Sequence, residues 1–145
     1  AIDYRITLLT PQRVSIVFEG EYNVQTAAHP VSFFDSITVD RKANRIMHLS
    51  DFYSIDDSFV QRVEEAYQEQ IRNYYSERWA VPLAQVPQEA ELPLKNVQAE
   101  NFINLLKTAD GEQAQIHSFL TENQVGICLP AAHAWGDHYE IYLDR

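Results

Sequence analysis

The sequence predicts an α+β domain: a mainly antiparallel sheet with one long and one short helix packed on one face. Period-two alternation marks both ends of the chain, and one strong three-and-four periodicity marks its middle. The resulting order is strands, long helix, short helix, strands. A doubly wound parallel sheet would require strand and helix to alternate more regularly.

Tyr4, Ile6 and Leu8 alternate with Arg5, Thr7 and Leu9, and after Thr10 to Arg13 the alternation resumes with Val14, Ile16 and Phe18 against Ser15, Val17 and Glu19. That pattern predicts an antiparallel hairpin. A polar stretch from Glu21 to Pro30 leads into a strand over Phe33 to Asp40. The run Asp40 to Arg45 is a turn signal, with Asn44 the residue best suited to a left-handed conformation, and Ile46 to Leu49 returns as a short strand.

Ser50-Asp51 and Asp56-Asp57-Ser58 supply capping oxygens and negative charge for helix starts, so the long helix begins near Ser58. Phe59, Val63, Ala66, Tyr67, Gln70, Ile71 and Tyr74 recur at helical steps and predict its buried face. Three prolines between Ala80 and Pro93 argue for an irregular connection without a domain boundary. Asn96 is placed to cap a shorter helix whose Phe102, Leu105 and Leu106 face inward, with Gly111 as its stop. Ile116 to Leu120 and Val125 to Leu129 flank Thr121 to Gln124 as a second hairpin, and Tyr139, Ile141 and Leu143 mark a closing strand.

Residues 1–145 are expected to form a single domain, since that length buries one core without disulfides or metals. The net charge of −10 repels phosphate backbones and anionic lipid surfaces, so nucleic acid is not expected as a partner, whereas a basic protein is allowed. Apolar runs such as Val125 to Ala132 are far shorter than the roughly 20 residues that span a bilayer. Any membrane attachment is expected through a segment outside this chain.

Catalytic motifs are sparse. Cys128 is the sole cysteine, and its strand context between Ile127 and Leu129 suits a small buried hydrophobe better than a nucleophile. No Gly-x-Ser-x-Gly elbow and no phosphate-cradling glycine loop occurs. None of the five histidines pairs with another at the helical spacing of metal ligands; His133, Asp137 and His138 share a predicted loop that could gather a zinc- or manganese-like set. Clustered polar residues in such a loop more often serve solvation and hydrogen bonding, so neither metal nor other cofactor is expected. Asp51, Asp56 and Asp57 could pair as hydrolytic carboxylates, but capping explains them better. Tyr74, Tyr75 and Trp79 cluster at the end of the long helix and Trp135 lies in the late loop; Tyr74 is expected in the core, while core and partner contact are both open readings for Tyr75, Trp79 and Trp135.

Val14 to Gly20, then Ala27-Ala28-His29-Pro30, Ile37 to Asp40 and Leu49-Ser50-Asp51-Phe52, resemble the extracytoplasmic domain shared by RsiV-type anti-sigma factors and PdaC-type peptidoglycan deacetylases. Ser118-Phe119-Leu120, Val125 to Leu129, Trp135-Gly136 and Tyr139 to Leu143 resemble that domain's closing hairpin, loop and last strand. The resemblance implies an α+β fold outside the bacterial cytoplasmic membrane. It also implies a non-catalytic module that binds or senses a lysozyme-like protein or a cell-wall glycan. The deacetylase chemistry belongs to a separate domain whose metal motifs are not found here. His29, Trp79, His133, Trp135, Asp137 and His138 form the expected binding surface. A hydrolase using metal or carboxylates at the same loops is the alternative, and a structural spacer is the third reading.

Overall fold

The computed structural model describes residues 1–86, 99–131 and 136–145. Among the described residues seven strands form two antiparallel sheets. The first is a meander of β1 (Ile2–Leu9), β2 (Arg13–Tyr22), β3 (Val31–Asp40) and β4 (Arg45–Met47). The second is β5 (His117–Leu120), β6 (Gln124–Pro130) and β7 (His138–Asp144). Between them run a one-turn helix α1 (Leu49–Phe52), the long helix α2 (Asp57–Trp79) and α3 (Ala99–Lys107).

Helix α2 starts where its acids direct. Asp56 caps it by accepting the Phe59 N–H at 2.8 Å, and Ala80 in the left-handed region (φ 51°) ends it. Phe59, Val63, Tyr67, Ile71 and Tyr75 form its buried stripe. Tyr74, expected in the core, is 47% exposed, and Tyr75 takes the inward position. A stripe advancing strictly by four residues selects 75 after 71, and the Tyr75 hydroxyl is satisfied by a hydrogen bond with that of Tyr139.

The predicted sheet is in fact two, with the helices on one face of the three-stranded one. Val125, Ile127 and Leu129 of β6 and Tyr139, Ile141 and Leu143 of β7 pack with α2 and with Phe102 and Leu106 of α3. From the other face of that sheet Phe119 and Cys128 meet Val17 and Phe34 of the meander. Nothing in strand periodicity distinguishes one seven-stranded sheet from two stacked ones, because β4 and β5 could have paired. Side chains take the place of that pairing along the outer edge of β5: the Leu120 N–H donates to Ser15 Oγ at 2.9 Å, and Ser36 Oγ donates to the Ser118 carbonyl at 2.7 Å.

Three further expectations are corrected. A register shift between Ile6 and Leu8 turns Leu8 inward against the main core and leaves Leu9 65% exposed, so Tyr4, Ile6 and Leu8 do not share a face. The left-handed residue after α3 is Asp110 (φ 65°) rather than Gly111. Its carboxylate accepts the N–H groups of Leu49 at 2.8 Å and Ser118 at 2.6 Å together with the Ser118 hydroxyl, which fastens α1 to β5. Asn44 is left-handed as expected (φ 52°), and Asn96 lies outside the described residues. Ile46 to Leu49 divides: β4 ends at Met47, and Leu49 opens α1.

Candidate functional site

Helix α2 lies antiparallel to β7. Arg62 donates to the Asp144 carbonyl at 3.0 Å, Gln70 pairs with Tyr142, and Tyr75 meets Tyr139. The C-terminal end of α2, with Trp79 63% exposed, therefore points to the end of the molecule where β7 begins. The Arg78 guanidinium stands 5.9 Å from the Trp79 ring centroid.

At that same end, Asp137 accepts the Ser32 N–H at 2.8 Å. This bond ties the connection entering β7 to the start of β3, just after the exposed loop that carries His29. The carboxylate of Asp137 is thus engaged in joining the two sheets, and its left-handed backbone (φ 72°) turns the chain into β7. The fold brings the connections bearing His29 and Asp137 together with His138 and the Trp79 end of the helix. His133 and Trp135 lie outside the described residues.

His138 stands between two concavities. One, of about 300 Å³, is a groove between α2 and β7, walled by Gln70, Ile71, Tyr74, Tyr139, Glu140 and Tyr142. The other, of about 470 Å³, opens beside the first sheet and holds the acids Asp3, Glu19 and Glu21 with Ser32 and Phe33. The His138 ring sits 5.3 Å from that of Phe34, and its buried Nδ1 has no hydrogen-bond partner among the described residues.

Arg5 joins the two concavities. Its guanidinium pairs with Glu140 and, at 3.5 Å, with Glu19, and its charge lies 5.3 Å from the Phe119 ring centroid. Burial pushes the Glu140 carboxyl above the usual carboxylate range, with Arg5 opposing the rise. Burial also works against the Arg5 charge, but Glu140 and Glu19 outweigh it and leave its pKa raised.

The groove follows an open strand edge. In an antiparallel ladder alternate residues turn their N–H and C=O groups outward. Gln70 bonds both those of Tyr142, donating to its carbonyl at 2.7 Å and accepting its N–H at 2.8 Å. The outward groups of Glu140 and His138 are next along the same edge, beside the exposed Tyr74 ring.

The other sequence candidates are structural. Asp51 accepts the His48 N–H at 2.7 Å and pairs with Arg45 at 3.1 Å; its carboxyl is held below the usual range mainly by that N–H. A concavity of about 420 Å³ beside it, around Ser50 to Ile55 and Lys107, is shaped by this cap. Cys128 is buried between the sheets, and burial pushes its thiol pKa up, which keeps it protonated. Among the described residues no group of three or more His, Cys, Asp or Glu side chains is arranged to hold a metal ion.

Sequence reasoning missed Arg5, Glu19, Glu140 and Tyr142 as parts of the site. One signal was present: Gln70 is a polar residue within an otherwise apolar helical stripe, and such a residue calls for a buried partner.

No family model matches the chain, and no curated protein matches it. A solved structure is similar in fold: a DUF3298 family protein from Pseudomonas aeruginosa PAO1, with a TM-score of 0.57 and 15% sequence identity. The likeness covers 99% of this chain and 56% of that one, so the chain spans little more than half the length of its structural neighbour.

Proposed function

We propose that this chain is a non-catalytic binding or sensing domain of the bacterial cell envelope, located outside the cytoplasmic membrane, that recognises a basic, lysozyme-like protein. The observation that carries this reading is the junction at His138, where an acidic concavity adjoins an aromatic groove along an open strand edge. Asp3, Glu19 and Glu21 suit cationic side chains, and the net charge of −10 steers a basic partner toward the surface. The outward groups of Glu140 and His138 offer hydrogen bonds to an extended segment of that partner. The similarity to RsiV-type and PdaC-type domains supports the same location and ligand class.

A cell-wall glycan is the second reading, favoured by the Tyr74 and Tyr142 rings with the Gln70 amide in the groove, since aromatic faces stack on sugar rings. Calorimetric titration with lysozyme and with soluble peptidoglycan fragments separates the two. For the protein ligand, the Asp3→Lys, Glu21→Lys double variant weakens binding about tenfold at low salt while Tyr74→Ala changes it less. For the glycan the order reverses. Absence of heat with both ligands sinks the proposal, and turnover of peptidoglycan that Glu140→Gln abolishes would establish a carboxylate-dependent hydrolase instead.

A further inference from the structure

Side chains close most of the open edges of the three-stranded sheet. Along β5, Asp110 and Ser36 bond the N–H and C=O of Ser118, and Ser15 bonds the N–H of Leu120. Along β7, Gln70 takes both groups of Tyr142, and Arg62 takes the Asp144 carbonyl. Among the described residues, nothing bonds the outward N–H and C=O groups of Glu140 and His138. A strand edge left open in this way is a template for another strand, and the groove of about 300 Å³ beside Tyr74 runs along it.

We propose that this edge binds by strand addition: an extended, basic segment of a partner protein pairs antiparallel with Glu140 and His138. The inference rests on the protein-binding reading above and assigns its mode of contact. The outward groups recur at every second residue, roughly 7 Å apart, which is the repeat of an extended peptide backbone. Antiparallel pairing continues the pattern of the sheet that the segment joins. It also lets Glu140 and His138 each exchange two hydrogen bonds with one residue of the segment.

The two sides of the edge select the side chains of the segment, because alternate residues of an added strand point to opposite faces of the sheet. A residue opposite Tyr139 meets the helix side, where Ile71 and Tyr74 line the groove and favour an aromatic or branched apolar side chain. Residues opposite Glu140 and His138 face the four-stranded sheet. That sheet turns Asp3, Glu19 and Glu21 toward them, on the side where Val17 and Phe34 meet Phe119 and Cys128. Its outward rows hold Ile2, Ile6, Ile16 and Ile37 instead. Asp3, Glu19, Glu21 and Glu140 thus stand against the Arg5 guanidinium, and lysine or arginine suits these positions of the segment. A second copy pairing through its own β7 would bring two such acidic sets together.

Calorimetric titration with the peptide acetyl-Val-Lys-Tyr-Lys-Val-amide tests the proposal. The wild type binds it. N-methylating the backbone of both lysines, whose N–H groups face β7 in antiparallel pairing, weakens binding at least about tenfold, and N-methylating the tyrosine changes it less than about twofold. No heat with the parent peptide overturns strand addition, as do equal effects of methylation at the two kinds of position. With lysozyme as the ligand, Glu140→Pro removes an N–H from an edge position that proline tolerates. It lowers affinity at least about tenfold relative to Glu140→Gln, with an unchanged circular dichroism spectrum. Lysozyme binding that the Asp3→Lys, Glu21→Lys double variant weakens, but that is equal in Glu140→Pro and Glu140→Gln, overturns strand addition and leaves the lysozyme reading in place. Absence of heat with lysozyme, while the peptides behave as expected, removes that reading and upholds strand addition. A wild type that dimerises through an edge that Glu140→Pro disrupts overturns the proposal in favour of a second copy.

Discussion

In the three-stranded sheet, five consecutive residues of β6, Val125 to Leu129, are buried, because helices cover one face and the meander the other. The central strand of the four-stranded sheet, β2, buries only Ser15 and Val17, and the outward rows stay open or half-open. The edges differ in the same sense. Ser15, Ser36 and Asp110 bond the outer edge of β5, and Gln70 and Arg62 bond that of β7. Stability is therefore concentrated in the small sheet, while the larger one keeps an outward face that is open or half-open.

Truncating an isoleucine in each sheet sharpens this contrast most. Ile127→Ala, at a fully buried position, is expected to destabilise the protein by about 3–4 kcal/mol in urea unfolding, whereas Ile6→Ala costs under about 0.5 kcal/mol. Equal losses would show that the meander is as integral to the core as the inner sheet. Asp110→Ala comes next. It strands two buried N–H groups and a hydroxyl at the join between α1 and β5, a loss of about 2–3 kcal/mol measured the same way.

The smallest effect concerns the junction between the sheets. Glu140 has a pKa raised in the folded state, so folding takes up protons there. The stability this confers is complete below the ordinary glutamate pKa of about 4.3 and is lost as pH rises through the elevated value. The stability of the wild type relative to Glu140→Gln should accordingly fall across that window, read as urea midpoints at several pH values. A relative stability that instead grows with pH would mean that pairing with Arg5 outweighs burial.

The helices were legible because their signals are local. Asp56 caps α2 through an N–H three residues away, and the Phe59, Val63, Tyr67, Ile71 stripe needs only the helical repeat to define a face. The same repeat placed Tyr74 inward where the structure buries Tyr75, since both lie at the stripe's margin and a distant hydroxyl, that of Tyr139, selected between them. Of the expected binding residues, Asp137 and His138 are tied to the strand that follows the His29 loop by the Asp137 to Ser32 bond, and Trp79 ends α2 one turn beyond the Tyr75 to Tyr139 contact. The groove itself was hidden, because Gln70 and Glu140 are far apart in sequence and adjoin only once α2 is laid along β7.

By itself the sequence determined the fold class, most of the strands, the Asp56 cap and the acidity, since backbone propensity, side-chain periodicity and charge count are properties of neighbouring residues. Tertiary structure alone decided that seven strands divide into two sheets, and that the meander turns serines and Arg5 inward and isoleucines outward. Alternation gives a strand two faces without saying which is covered; here hydroxyl and guanidinium groups found partners on β5 and β7, and those distant bonds fixed the choice.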